Sequence, residues 1–472
     1  MTLWTSADAV AATGGETTAD WQASGVSIDT RTIQPGDLFV ALKDIRDGHD
    51  FVAQALEKGA AAALVSHRPE NVPDDAPLLI TPDVLKALES LGTAARVRTK
   101  ARIVAITGSV GKTSAKEMLR TVLATQGKTH AAEASYNNHW GVPLTLARMP
   151  VDTDYAIIEI GMSNPGEIAP LSKMARPHVA MITTIAAAHL AAFDNLAGIA
   201  VEKASIFDGL EPGGIAIINA DIETTQILQN NAQNIVLFGE TAPDWQVQDV
   251  RLTGDVTVIK TRKGDHDYLF KLSVAGRHFA MNAVAVLAAT EALSADPVAA
   301  SLQIAQWKPP AGRGTRETIA LDSVNEDETL DLIDDAFNAN PTSLKAALEV
   351  IAGSAPHNNV GRTIKGRRVA ILGDMLELGP DEVQMHRDMA DDKHLKSLDL
   401  IHCAGPLMHH LWQALPEHQR GRWAEHASDL TGQVTRLVDA GDVVLVKGSK
   451  GSKVSLVVDA IRKLGHARPQ EK

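Results

Sequence analysis

The sequence predicts an α/β protein of three domains, and three observations predict it. The chain has 472 residues, which at about 150 residues per domain divides into roughly three. Short β-branched runs alternate with helical stretches through its middle and last thirds, as in crossover-connected parallel strands. One strand–helix joint, within 103–126, carries a glycine-containing turn that ends in lysine and threonine.

In the first third, 38–42 follows the turn-like Gln34-Pro35-Gly36-Asp37 and reads as a strand, as does 60–65 after Gly59. Between them, 51–58 has helical apolar spacing. Pro69, Pro73 and Pro77 make a linker to 78–80, and the first boundary falls near Pro82. The Ala-, Leu- and Glu-rich stretch 84–97 then favours a helix. In the middle third, 103–106, 155–160 and 179–185 read as strands, and 113–126 and 199–207 as helices. A further strand, 214–219, follows Pro212-Gly213-Gly214. The tighter alternation of 245–274 suggests a small β-subregion, 282–293 is alanine-rich and helical, and Pro309, Pro310, Gly312 and Gly314 mark a hinge. In the last third, 330–334, 368–372, 398–404 and 443–446 read as strands. A helix covers 343–352 after Pro341, 358–365 is a polar loop, and 463–472 is a frayed basic tail. These breaks give domains of 1–83, 84–313 and 314–472.

Composition removes several function classes. Cys403 is the only cysteine, which excludes an intrachain disulfide framework and any Cys-clustered zinc or iron–sulfur site. The formal net charge of −13 argues against a general nucleic-acid binder, and no concentrated basic or aromatic groove stands out. No apolar run approaches the roughly 20 residues of a membrane span, and 1–9 lacks the basic flank and apolar core of a secretory signal. A cytoplasmic, multidomain enzyme is the expectation.

The strongest local signal is Thr107-Gly108-Ser109-Val110-Gly111-Lys112-Thr113, continued by Ser114. Backbone N–H groups of such a loop surround phosphate oxygens, helped by the helix N-terminus behind them. Lys112 is placed to neutralise β- and γ-phosphates, and the Thr113 hydroxyl to ligate Mg²⁺. Position 106 is isoleucine where the longer pattern has glycine, so this is a short Gly-x-x-Gly-Lys-Thr form. An NTPase switch would share the loop.

The chain from about 27 to 453 resembles the Mur ligases. The resemblance rests on the phosphate loop and on 27–31, 35–39 and 47–51. It also rests on Tyr136-Asn137-Asn138-His139-Trp140-Gly141-Val142-Pro143, Glu159-Ile160-Gly161-Met162, and Asn164-Pro165-Gly166-Glu167. In the last third it rests on Asp334-Asp335-Ala336-Phe337-Asn338-Ala339-Asn340-Pro341-Thr342-Ser343, Gly373-Asp374-Met375-Leu376-Glu377-Leu378-Gly379 with His386, and 446–453. It implies a three-domain fold with a P-loop ATP-binding central domain and a Rossmann-like C-terminal domain. It implies a cytoplasmic monomer that uses ATP and two Mg²⁺ ions to form an amide bond. The 334–343 segment resembles the branch that joins D-alanyl-D-alanine to UDP-N-acetylmuramoyl-tripeptide. The alternative is a branch adding the third amino acid, whose Asp-x-Pro-Arg motif is absent.

The resemblance also implies residue roles. Lys112, Glu159, His189 and Lys203 would be catalytic, with Thr113, Glu159, His189 and Lys203 around metal and Lys203 carbamylated. Gly108 to Ser114, Asn282, Arg313 and Asp335 would hold the nucleotide. Ser27, Arg31, Asn137, Asn138, Asn338, Asn340, Lys447 and Lys450 would meet substrate. Plainer roles stand beside these: Ser27 in a capped turn, Asn282 as a helix cap, and His189 as a hydrogen-bonded structural residue. Thr184, Ala191 and Ser205 stand where the family often has asparagine, glutamate and glutamate.

Overall fold

The structure, a computed structural model, describes residues 2–322, 327–361 and 363–467. Its strands form three large sheets and one two-stranded ribbon, Trp4–Thr5 against Gln22–Ala23. The first sheet runs Glu16–Thr17, Leu78–Ile80, Ala62–Val65, Asp37–Val40, Gly25–Ser27, parallel except for its first pair.

The second sheet has nine strands. Its parallel run is Thr129–Ala131, Tyr155–Glu159, Arg102–Thr107, Val179–Ile182, Ile215–Asn219, Ile235–Gly239 and Trp245–Thr253. The antiparallel Val256–Lys263 and His266–Leu272 complete it. The tight alternation at 245–274 is this antiparallel edge. Arg102–Thr107 lies mid-sheet, and Ile103, Val104, Ala105 and Ile106 are fully buried. Val104 and Ile106 share one core with Met118 and Leu119, while Ile103 and Ala105, beside Ala156 and Ile158 of the next strand, share the core of the other face with Val142 and Leu146. Burial on both faces explains why this strand reads as a continuous apolar run. The chain goes from it to a strand on one side and then to one on the other, so a crevice opens at their C-terminal ends.

The third sheet runs Arg420–Ala424, Leu400–Ala404, Arg368–Gly373, Val443–Lys447, Thr329–Asp335, all parallel. Thr315–Ala320 and His466–Ala467 add antiparallel at one edge. The frayed-tail expectation is corrected here. His466 and Ala467 pair with Ala320 and Ile319, because an edge strand offers unpaired backbone groups to any segment that reaches it. Both residues are exposed, so no hydrophobic pattern marked them. Positions 468–472 and 362, parts of the expected tail and loop, lie outside the described residues.

The helix Val84–Arg98 joins the first two sheets, capped by Asp83, whose side chain accepts from Lys86 N. A Cβ on its Gly92 would meet the Pro143 carbonyl oxygen at 2.9 Å, so glycine lets it lie against the helix Gly141–Ala147. The helix Ser6–Thr13 and the two- and three-residue strands before residue 28 had no sequence signal long enough to show a period. Among the described residues no helix is long and apolar enough to cross a membrane.

Candidate active site

A cavity of about 500 Å³ opens where the second and third sheets face each other. The ends of Arg102–Thr107 and Tyr155–Glu159 form one wall, and those of Thr329–Asp335 and Val443–Lys447 the other.

The phosphate loop is laced to the segment behind it. Ser109 N donates to Thr184 O at 2.8 Å, Ala186 N donates to Ser109 Oγ at 3.0 Å, and the Thr183 hydroxyl donates to Val110 O at 2.5 Å. A Cβ on Gly108 would meet Thr183 Oγ1 at 2.0 Å, so only glycine permits this approach. Gly111 has φ +88° and precedes the helix Lys112–Leu123. No side chain caps that helix, so its first N–H groups are left for an anion. Lys112 lines the cavity, and desolvation holds its pKa down to about 8 against the opposing pull of Glu159.

Glu159 is 2% exposed. Its Oε1 accepts from Asn137 Nδ2 at 2.8 Å and from the Thr113 hydroxyl at 3.2 Å. Its Oε2 is buried without a partner. A bare carboxylate oxygen beside a hydroxyl and a phosphate loop suits a hard cation with phosphate oxygens completing the shell. Among the described residues no three His, Cys, Asp or Glu side chains converge to hold a metal unaided. Thr113 and Glu159 are the residues of this cavity placed to hold such a cation.

His189 lines the same cavity, and its Nδ1 lies 2.6 Å from Glu377 Oε2 of the third-sheet side. Lys203, on the helix Leu196–Ala204, is 1% exposed, and its ammonium has no hydrogen bond or ion pair among the described residues. Burial first, and then the charge of Lys112, pull its pKa well below the ordinary lysine range. Glu202 beside it accepts from Gly166 N and Ile168 N, bracing the start of the helix Ile168–Ala175.

Asn282 lines the cavity from inside the helix Arg277–Ala292, five residues past its start. It is therefore not the helix cap. Its amide packs on Gly111, where an added Cβ would meet Nδ2 and Oδ1 at 2.8 Å. On the opposite wall Lys447 is 2% exposed and donates to Asp335 Oδ2 at 2.6 Å and Asn338 O at 3.0 Å. Desolvation nevertheless raises the Asp335 pKa. Asn340 caps the helix Pro341–Gly353 through Ser343 N, and Asn138 accepts from Gly141 N. Both line the cavity with amides already committed to helix starts.

Arg313 sits between the second and third sheets. Its guanidinium stacks 4.1 Å from the Phe337 ring centroid and reaches Ser135 Oγ at 3.5 Å. Gly312 O accepts from Phe337 N at 3.0 Å, and Gly314 N donates to Asp334 O at 2.8 Å.

Ser27, Arg31, Lys203 and Lys450 do not line this cavity. Ser27 closes a turn with Asp29, and Arg31, largely exposed, grips the same Asp29 at 2.6 Å. Lys450 stands 6.0 Å from the Phe337 ring. Sequence reasoning passed over Lys116, which is fully buried and donates to Ala132 O and Ala134 O at 2.8 and 3.0 Å. A lysine four residues after Lys112, amid the apolar face of the helix, was the available signal. Ser135, Thr183 and His278 of the lining carried none.

The Mur ligase middle domain matches residues 106–290, the Mur ligase glutamate ligase domain 321–450, and the Mur ligase family catalytic domain 22–121. The UDP-N-acetylmuramoyl-tripeptide--D-alanyl-D-alanine ligase of Escherichia coli is 36% identical over 95% of both chains. Its Bacillus subtilis counterpart is 34% identical over 92% of both. A MurF crystal structure from Acinetobacter baumannii superposes with a TM-score of 0.83 at 28% identity, over 97% of this chain and 99% of that one.

Proposed function

The chain belongs to the Mur ligase family, and on that premise we propose that it joins D-alanyl-D-alanine to UDP-N-acetylmuramoyl-tripeptide at the expense of ATP. One observation carries the reading. The phosphate loop with Glu159 faces Asp335, Asn338 and Lys447 across a single cavity, so a nucleotide and an acceptor meet there. The first domain, 1–83, takes the UDP end, 84–313 binds ATP, and 314–472 presents the dipeptide. The reading takes the protein to act as a monomer.

A carboxylate is a poor electrophile, so it must be activated. A carboxylate oxygen of the tripeptide attacks the γ-phosphorus, the bond to the β-phosphate oxygen breaks, and ADP leaves. The neutral amine of the dipeptide attacks the acyl phosphate carbon, inorganic phosphate departs, and the amine proton passes to solvent. Lys112 and the free N–H groups of its helix hold the phosphates in line. The triphosphate favours the charged form of Lys112 against its desolvation. Thr113 and Glu159 would hold Mg²⁺, with His189 near a second ion, and the metal would supply charge neutralisation for the transferring group. Phe337 and Arg313, stacked on each other in the cavity lining, limit attack of water on the acyl phosphate.

Lys203 fits carbamylation. Its amine, buried and strongly biased toward neutrality, attacks CO₂, forms an N–C bond and loses a proton, which turns a cation into an oxygen-bearing anion. A carbamate carbon signal from ¹³C-bicarbonate, absent in Lys203→Ala, tests this. ADP release that requires both UDP-muramoyl tripeptide and D-alanyl-D-alanine, with product mass raised by the dipeptide less water, tests the function. Hydrolysis indifferent to both substrates overturns it.

A further inference from the structure

We propose that Glu377 is a positioning residue that sets the His189 imidazole for the metal site, so that the site is completed only when the third domain is docked on the second. The inference rests on the functional reading above and assigns a role to a residue that reading does not use.

A carboxylate can only accept, so the 2.6 Å contact requires the proton on His189 Nδ1. On the neutral ring the Nε2 lone pair is then left free, and that ring lines the cavity. This is the arrangement in which a carboxylate fixes the tautomer and ring angle of a metal-binding histidine. The contact also joins two separately held segments. His189 precedes the turn Leu190–Ala192, and Glu377 lies in the loop after Arg368–Gly373.

Both residues occupy the left-handed region, at φ +60° and +65°. That conformation is unfavourable for a non-glycine residue. Strain of this kind persists where the surroundings over-determine it, and it clusters at functional sites. The Glu377 loop is over-determined. Met375 N donates to His386 Nε2 at 3.0 Å, while His386 Nδ1 is committed to Glu382 O. Leu376 N donates to Ser449 Oγ at 2.9 Å, and Ser449 Oγ itself donates to Ala339 O. Beyond the carboxylate, Gly379 lies flat on the His189 turn, where an added Cβ would meet Leu190 O at 3.2 Å. A rigid arm thus delivers one carboxylate to one ring nitrogen.

The test uses the full-length protein with ADP and Mn²⁺ as the metal probe, counted by electron paramagnetic resonance. Wild type should bind two Mn²⁺ per chain. Glu377→Ala should weaken one of them about 10–100-fold, leaving the other and ADP affinity within about twofold. Glu377→Gln, which keeps an acceptor oxygen, should fall between. In a His189→Ala background, Glu377→Ala should have no further effect on metal. ¹⁵N resonances of His189 should report the Nδ1–H form in wild type and a tautomer mixture in Glu377→Ala. Unchanged binding at both metal positions in Glu377→Ala, or equal losses with and without His189, overturns the proposal while leaving the ligase reading intact. Wild type that forms no amide product overturns both.

Discussion

Replacing Lys447 by methionine tests how the third-sheet wall of the cavity is held. Lys447 is 2% exposed, and its ammonium lies 2.6 Å from Asp335 Oδ2 and 3.0 Å from Asn338 O. The two residues are opposite each other on the neighbouring parallel strands Thr329–Asp335 and Val443–Lys447. Lys447→Met removes the cation and leaves the carboxylate and carbonyl without their donor. Breaking such a pair from one side costs about 3–5 kcal/mol, most of it the isolated charge. Asp335→Asn in the same chain removes that charge, and replacing both partners should recover all but about 1 kcal/mol. Denaturant titration of the wild type, both single variants and the double variant gives the coupling directly. Ligation should stay lost in the double variant, because its fold is restored without the charges that face the cavity. A single-variant loss below about 1 kcal/mol, or a double variant as unstable as Lys447→Met, would refute the reasoning.

Gly111→Ala meets an unfavourable φ of +88° and drives a methyl to 2.8 Å from the Asn282 amide. KM for ATP should rise at least about tenfold, corresponding to 1.4 kcal/mol, and nucleotide titration reads it. Lys116→Met frees the loop that follows Thr129–Ala131 and carries Ser135, so stability should drop by about 2–3 kcal/mol and ATP protection of Ser135 in hydrogen exchange should fade. His402 is 2% exposed and held to about 4 by burial, below its ordinary 6.5. Between those pH values the unfolded chain binds a proton that the folded chain refuses, so stability falls with pH through that window and levels off below it. The loss is about 3 kcal/mol, and His402→Asn should remove one proton from the slope of unfolding free energy against pH.

The parts of the fold that the sequence revealed are those with a period or a punctuating turn. Residues 103–106 are buried on both faces and so apolar throughout. Gly108 and Gly111 survive in the sequence because a Cβ at either would strike Thr183 or Asn282. The strands before residue 28 and His466–Ala467 were invisible because two or three residues cannot show alternation. At the site, residue type was legible and distance was not. Glu159 and Thr113 lie 46 residues apart in the chain, yet their side chains meet at 3.2 Å. Arg31 has the same chemical credentials as Arg313, but its guanidinium closes on Asp29 two residues away. Glu377 could not be paired with His189 from the sequence, since that contact depends on how two sheets face each other.

The crossing at Gly312-Arg313-Gly314 bears on modular exchange between relatives. Its outer glycines hold φ +73° and +84°, its backbone is bonded to both Asp334 and Phe337, and its one side chain stacks on Phe337. A splice made inside this tripeptide would cut through a fitted joint. A working chimera must inherit the tripeptide and the 334–337 segment from the same parent, so the natural unit of exchange begins before Gly312 rather than at the first strand of the third sheet.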